Sequence, residues 1–150
     1  DPNDPAKLTL VEELDMKVKP DHIETADPGA LRVNGYNEAD WIFAYTQEQA
    51  FKLLAEKTKG CVFVAHNVAF DWNFIDASFR RLGIEHNFER NKLDTLSIAY
   101  AKFSGNNSDI RHLSLRALCE HFGIKNEAAH SALPDVRAMI EIYKKLMAMK

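Results

Sequence analysis

Three aspartates stand where a predicted strand or helix begins or ends. Asp71 and Asp135 fall at the starts of predicted helices, and Asp94 follows a short extended segment. Because ligands of α/β proteins gather at such ends, position alone makes these side chains candidates for a binding site. Each also has a simpler explanation. A carboxylate in a first helical turn is stabilised by the helix dipole, and Asp94 can accept hydrogen bonds from neighbouring backbone N–H groups.

A histidine, His130, precedes Asp135 by five residues and lies on the loop that enters the last predicted helix. The pKa of an ordinary histidine suits a general base near neutral pH, so His130 can take a proton from a water beside a carboxylate-bound metal. An ordinary polar role on the loop is the alternative. A zinc site is a competing interpretation of the histidines and cysteines, but the CxxC and HxxxH spacings that would favour zinc are missing. The possible zinc ligands are Cys61, His66, Cys119, His121 and His130.

The elements that must position these residues alternate between strand and helix patterns, which predicts an α/β fold. Residues 8–18 alternate between apolar and other side chains and predict a strand that Pro20 ends. Residues 61–65, CVFVA, form a short apolar run. Such a run is typical of a central strand that is buried on both faces of a sheet.

Helix signals are clearest on both sides of that apolar run. Thr46 and Gln49 form a capping-box pattern, which predicts a helix that continues until Gly60. A second helix is predicted from Asp71, with apolar residues at helical spacing and Gly83 at its end. Asp71 is therefore expected to open a helix just beyond a strand.

The second half of the chain predicts one short extended segment and three helices. The extended segment lies at residues 93–94 and runs into the first of these helices, and the second ends at Gly123. The last begins at about Ala132, with Pro134 acceptable in its first turn. Its expected apolar stripe is Leu133, Val136, Ile140, Tyr143 and Met147.

The composition limits the class of protein. A chain of 150 residues with 46% apolar residues can form one core, so residues 1–150 are expected to be a single domain. The net charge of −3 gives no basic field, which argues against a protein that coats duplexes. No segment approaches the roughly 18 apolar residues of a membrane span. Two cysteines are too few for a disulfide framework, and a reducing cytoplasm is the expected location.

Two segments together resemble motifs of the DEDDh (DnaQ-like) 3′-5′ exonuclease family. Residues 66–75, HNVAFDWNFI, resemble the family's second motif, an HN-x-x-F-D run after a buried strand. Residues 130–135, HSALPD, resemble its third motif, H-x-A-x-x-D at a helix start. The runs GALRVNGY, LDTL and LSLRALCEHFGI resemble connecting elements of the family. The resemblance thus covers nearly the whole chain.

The resemblance implies a ribonuclease H-like fold with a mixed sheet flanked by helices. It implies that two Mg²⁺ or Mn²⁺ ions are the cofactors, and that the substrates are the 3′ ends of single-stranded DNA or RNA. The expected products are nucleoside 5′-monophosphates, and a DNA polymerase is a possible partner.

The resemblance also gives roles to individual residues. Asp71 and Asp135 would bind metal, and His130 would be the general base. Asp94 has no ligand role in this pattern. The pocket for the terminal nucleotide would be lined by His66, Asn67 and Phe70.

The family's first motif, an Asp-x-Glu pair on the first strand, has no counterpart in the sequence. The fold is therefore expected to lack its first two strands, with residues 8–18 as the third, at the sheet edge. Glu12, Glu13 and Asp15 are the nearest acidic cluster, but their order does not fit the motif, and a solvated edge explains them better. Because residues 61–65 would otherwise expose an apolar edge, we expect a preceding segment of roughly 25 to 35 residues in the native protein.

Two other functions compete with the exonuclease. One is a non-catalytic nucleic-acid-binding or polymerase-associated module with a degenerate exonuclease fold, which the missing motif favours. The other is an α/β domain with no nucleic-acid role. Metal binding distinguishes the exonuclease from the non-catalytic module.

Overall fold

The computed structural model describes residues 4–104, 112–126 and 131–149. Its elements confirm an α/β fold. Within those ranges no helix is both long enough and apolar enough to cross a membrane. After a short 3₁₀ turn at Ile23–Thr25, the elements in chain order are α1 Pro28–Val33, α2 Gln47–Lys57, β1 Phe63–Ala65, α3 Val68–Leu82, β2 Lys92–Asp94, α4 Thr95–Phe103, α5 Leu115–Phe122 and α6 Ala132–Ala148.

The two strands form a parallel pair connected through α3. Phe63 lies opposite Lys92, and Ala65 lies opposite Asp94. A parallel pair needs a crossover connection, and a helix is its usual form. Since parallel strands end at the same edge, the turns that follow Ala65 and Asp94 lie side by side. The antiparallel members of the expected mixed sheet are absent from the described residues.

The strand predicted at residues 8–18 is wrong. Val18 forms a single parallel bridge with Tyr45, and the rest of the segment forms no ladder and no helix. The alternating pattern of side chains cannot make a strand by itself, because a strand needs a neighbour for its backbone N–H and C=O groups. In the part of the chain that the structure describes, no strand lies beside this segment. Ion pairs of Glu12 with Lys57 and of Glu13 with Arg137 connect it to α2 and α6.

The expectation that residues 61–65 are buried on both faces is also corrected. Cys61 is exposed, Val62 keeps 49% of its surface, and the strand is only Phe63–Ala65. Ala65 is the one buried residue of β1. The physical reason is that β1 pairs with β2 alone, so one edge has no neighbouring strand among the described residues.

Three predicted helix-end signals agree with the structure, whereas α2 ends at Lys57, before the expected Gly60. The Thr46 hydroxyl accepts from the Gln49 N–H, and the Gln49 side chain accepts from the Thr46 N–H, which completes the capping box of α2. α3 ends at Gly83 with φ 63°, and α5 ends at Gly123 with φ 66°. Both glycines adopt the left-handed conformation that commonly ends a helix. α3 starts at Val68, three residues earlier than expected.

The main core lies between α4, α5 and α6. Its centre consists of residues with no exposed surface, among them Ala99, Leu118, Ile142 and Leu146. A second apolar cluster joins α3 to β1 and α2 through aromatic contacts. The Phe63 and Trp72 ring centroids are 5.3 Å apart, and those of Phe51 and Phe79 are 4.9 Å apart.

The apolar stripe expected on α6 is not the face that this core buries. The buried residues of α6 are Ala138, Met139, Ile142 and Leu146. Val136, from the expected stripe, is 47% exposed. The helix is apolar on two faces, and packing against α4 and α5 selects one of them. The other borders a groove that also contacts α2 and residues 10–18.

Ile142→Ala tests which face of α6 is in the core. Ile142 is fully buried, so we expect the free energy of unfolding to fall by about 2–5 kcal/mol. Val136→Ala on the same helix should change it by less than about 1 kcal/mol, because half of this side chain already contacts water. Urea unfolding followed by circular dichroism measures both. Equal losses in the two variants would contradict the packing described.

Candidate active site

The turn between β1 and α3 has an unusual backbone conformation. Asn67 has φ 69° and ψ 59°, the left-handed region, and it is the non-glycine residue with positive φ in the described chain. Asparagine tolerates this region better than most residues. The turn is joined to β2 because one carboxylate oxygen of Asp94 accepts from the N–H groups of Asn67, at 2.9 Å, and Val68, at 3.3 Å. The start of α3 is therefore connected to the end of the neighbouring strand.

A cavity of about 460 Å³ opens beside this turn and contacts β1, α3, α5 and α6. It brings together four of the six predicted site residues: His66, Phe70, Asp71 and Asp135. The remaining wall is largely apolar, with Ile75 and Met139 among its members. Asn67 is exposed on the adjacent turn and does not line the cavity. His130 lies outside the described residues.

Asp71 lies in the first turn of α3 and lines the cavity. Burial raises the pKa of its carboxyl group, while its own backbone N–H and the nearby His66 act in the opposite direction. In the described part of the chain Asp71 forms no ion pair with a basic side chain. Asp71 is therefore a partly buried carboxylate without an ion-pair partner among the described residues.

Asp135 reaches the same cavity from the first turn of α6. The Asn126 side-chain amide donates a hydrogen bond of 2.6 Å to one Asp135 oxygen. Within the part of the chain that the structure describes, no hydrogen bond engages the second oxygen of Asp135. The helix dipole also favours a carboxylate at this position. The location of Asp135 therefore agrees both with a role in a binding site and with simple stabilisation by the dipole.

His66 uses both ring nitrogens within the protein. Nδ1 lies 3.0 Å from the Thr95 hydroxyl, and Nε2 lies 2.8 Å from the Leu113 carbonyl. Burial lowers the pKa of His66, although the Leu113 carbonyl and the carboxylates of Asp94 and Asp71 favour the charged ring. With both nitrogens occupied, His66 can contact a substrate only through its ring carbons.

An exposed aromatic pair stands beside the cavity on α3. Phe70 is 61% exposed and Phe74 is 65% exposed, and their ring centroids are 5.1 Å apart in an edge arrangement. Phe70 also lines the cavity, whereas Phe74 extends the aromatic surface beyond it. Such a surface gives an unpaired base a platform for stacking.

The acidic cluster before the first helix is largely used in ion pairs. Glu12 contacts Lys57 at 2.7 Å. Glu13 accepts two hydrogen bonds from Arg137, and these lower the pKa of Glu13. Asp15 and Asp135 border one further cavity. Among the described residues, no three His, Cys, Asp or Glu side chains form a group that could hold a metal ion, whether zinc or another.

Two residues at the site carried no sequence signal of their own. Thr95 is fully buried, and its hydroxyl contacts the Ala65 carbonyl at 3.2 Å as well as His66. Asn126 contacts Asp135 from nine residues away, outside any local motif. Thr95 lies in the run LDTL, directly after Asp94 at a strand end. That position, rather than the residue type, was the only indication in the sequence that Thr95 lies near the site.

The sequence model of the RNase T exonuclease family matches residues 6–143. Because this match covers most of the chain, the chain belongs to that exonuclease family. The expected DEDDh, DnaQ-like family and its ribonuclease H-like α/β fold are thereby confirmed.

Similar proteins include two DNA polymerase III proteins and a 3′-5′ exonuclease. The chain is 33% identical over 100 residues to a PolC-type DNA polymerase III of Caldanaerobacter subterraneus. The matched region covers 67% of this chain and 7% of the relative. It is 29% identical over 134 residues to a DNA polymerase III subunit epsilon of Haemophilus influenzae, covering 84% and 48% respectively. It is 37% identical over 83 residues to the 3′-5′ exonuclease DinG of Staphylococcus saprophyticus, covering 55% and 9%. The chain thus spans less than half of the length of each of these relatives.

The lowered pKa of His66 predicts that the protein loses stability in mild acid. The unfolded chain takes up a proton near pH 6.5, and the folded chain does so only at lower pH. The stabilising contribution of the neutral ring is therefore present above about pH 6.5 and is lost as pH falls toward the folded pKa. We expect the free energy of unfolding, measured in EDTA, to fall more between pH 7.5 and pH 5.5 in the wild type than in His66→Gln. The exposed His22→Gln variant should behave as wild type, and a wild-type slope in His66→Gln would refute the assignment.

Proposed function

We propose that this chain is the catalytic domain of a 3′-5′ exonuclease. It would hydrolyse the phosphodiester bond at the 3′ end of single-stranded DNA or RNA and release nucleoside 5′-monophosphates. The observation that carries the proposal is the convergence of Asp71 and Asp135, from two different helices, on one cavity. Membership of the exonuclease family and similarity to a protein named 3′-5′ exonuclease support it.

The chemistry of the cavity fits a divalent cation, and we propose two Mg²⁺ or Mn²⁺ ions. Carboxylate oxygens are the ligands that these ions prefer, and Asp71 and Asp135 would hold them. The fit rests on Asp71, a partly buried carboxylate that forms no ion pair with any described basic side chain. Such ions, when bound, supply a water of lowered pKa and neutralise charge on the leaving oxygen.

His130 is the proposed general base. It directly precedes Ser131, the N-cap residue of the helix that carries Asp135. A neutral imidazole near pH 7 can accept the proton of the attacking water, and the proton then leaves to solvent. Asn126 would hold Asp135 in a fixed orientation during this step through the hydrogen bond described above.

The pocket for the terminal nucleotide is proposed at the cavity mouth. The cavity volume, about 460 Å³, is in the range of pockets for small ligands. Phe70 would stack on the terminal base, with Phe74 extending the platform, and the ring carbons of His66 would contact the sugar or base. Asn67 would contact the nucleotide from the exposed turn. Stacking requires an unpaired base, so single strands are the proposed substrate.

A DNA polymerase is a proposed partner, because two epsilon subunits of DNA polymerase III are among the similar proteins. The second candidate function is a non-catalytic nucleic-acid-binding module. It is favoured by the observation that the described residues bring only two carboxylates to the cavity, and no group of three metal ligands. Activity assays on matched variants distinguish the two.

The first experiment is the degradation of a 5′-labelled single-stranded oligonucleotide by the natural protein in the presence of Mn²⁺. We expect a ladder that shortens from the 3′ end. Asp71→Asn and Asp135→Asn should each lower the rate by at least ~10²-fold, because each removes a charged metal ligand.

Asp76→Asn is the matched control. Asp76 lies on the same helix as Asp71, but it pairs with Arg80 and does not line the cavity. Its rate should stay within about twofold of wild type. Binding of the oligonucleotide without degradation by the wild type would support the non-catalytic module instead.

His130→Ala tests the general base. Loss of a general base costs about 10²–10⁴-fold in rate, so we expect kcat to fall in that range while Mn²⁺ binding is retained. Added imidazole should restore part of the rate. The exposed His22→Ala variant serves as control, and a wild-type pH profile and rate in His130→Ala would exclude the assignment.

A further inference from the structure

Asp94 makes an unusual set of hydrogen bonds at the end of β2. One carboxylate oxygen accepts from the N–H groups of Asn67, Val68 and Leu96, at 2.9, 3.3 and 3.1 Å. The other accepts from the Ser97 hydroxyl at 2.7 Å. Burial raises the pKa of Asp94, but these four bonds outweigh it, so that the pKa lies below its usual value. The carboxylate is therefore held in the charged form by the protein itself.

One carboxylate caps two helices at once. Asp94 is the N-cap residue of α4, where it accepts from Leu96 in the ordinary way. The N-cap residue of α3 is Asn67, whose side chain makes no capping hydrogen bond. The first N–H groups of α3 instead bind Asp94, which lies 27 residues further along the chain than Asn67. The start of α3 thus depends on a side chain from the neighbouring strand.

The position of Asp71 also depends on Asp94, because Asp71 belongs to the first turn of α3. Asp71 lies in that turn, and the turn follows a residue in the left-handed conformation. Two hydrogen bonds from Asp94 hold the turn, and the pairing of Ala65 with Asp94 keeps the carboxylate directly beside it. Without the carboxylate, the first N–H groups of α3 would lose their partner and the turn would fray.

We infer that Asp94 is a positioning residue, which fixes the Asp71 carboxylate at the cavity by clamping the turn between β1 and α3. The inference rests on the proposed function. Asp94 does not itself line the cavity, and both of its oxygens are engaged by the protein. It therefore acts through Asp71 and has no ligand role of its own.

The test compares the natural protein with Asp94→Ala, Asp94→Asn and Ser97→Ala. Amide hydrogen exchange of Asn67 and Val68, measured by NMR in EDTA, reports the clamp. Mn²⁺ binding, measured by electron paramagnetic resonance without substrate, reports the position of Asp71. In Asp94→Ala we expect exchange at both amides to rise at least tenfold and Mn²⁺ affinity to fall at least fivefold.

The other variants separate positioning from general stability. Asp94→Asn keeps an oxygen that can accept from the turn, so it should recover most of the Mn²⁺ affinity. Ser97→Ala removes a bond outside the turn and should change the affinity by less than twofold. Leu118→Ala, in the core between α5 and α6, should lower Tm at least as much as Asp94→Ala with no change in Mn²⁺ affinity.

The outcomes are distinct. Faster amide exchange with unchanged Mn²⁺ affinity in Asp94→Ala would overturn the inference while leaving the exonuclease intact. An equal loss of affinity in Leu118→Ala would overturn it as well, because the effect would then be general destabilisation. A wild-type protein that neither binds Mn²⁺ nor degrades the oligonucleotide would overturn the proposed function and this inference together.

Discussion

The parallel register that places Ala65 beside Asp94 determines the geometry of the side of the site formed by β1 and the start of α3. Parallel strands end at one edge of a sheet, so the chain must leave both strands at the same place. The first residues beyond them are therefore forced together. From this one constraint follow the contact of Thr95 with the Ala65 carbonyl and the bonds of Asp94 to the turn that opens α3. A shift of one residue in the register would remove both.

A small buried network extends this constraint to the helices. The Thr95 hydroxyl is fully buried, and His66 connects it to the Leu113 carbonyl just before α5. Burial favours the neutral ring, and a neutral ring that donates from Nε2 to Leu113 has an acceptor at Nδ1. The single proton of the Thr95 hydroxyl therefore lies between two acceptors, Nδ1 of His66 and the Ala65 carbonyl. Because an unpaired polar group in this position would be costly, the network holds the sheet edge and α5 in one arrangement.

The sequence correctly predicted the structural features that depend only on residues close together in the chain. The capping box of Thr46 and Gln49, and the glycines at positions 83 and 123, act within one helix end and were confirmed. The strand at residues 8–18 failed because a strand depends on a partner that side-chain alternation does not reveal. On α6 the sequence offers two apolar faces, and only packing against α4 and α5 decides which is buried. The local partner of Asp94, the Leu96 N–H, agrees with the alternative given for it from sequence. The contacts of Asp94 with Asn67 and of Asp135 with Asn126 were hidden, since these asparagines lie outside any local spacing.

Asp71 and Asp135 do not support the metal site equally. For Asp135, the helix dipole and the Asn126 amide together explain a carboxylate in the first turn of α6. For Asp71 the dipole is present as well, yet burial still raises the pKa of its carboxyl group. The backbone N–H of Asp71 and the nearby His66 therefore compensate only part of the charge that is buried. A carboxylate kept at a cavity at the expense of stability is typical of a functional site, and a cation in the cavity would supply the missing compensation. Asp71, rather than Asp135, is thus the stronger argument for metal binding.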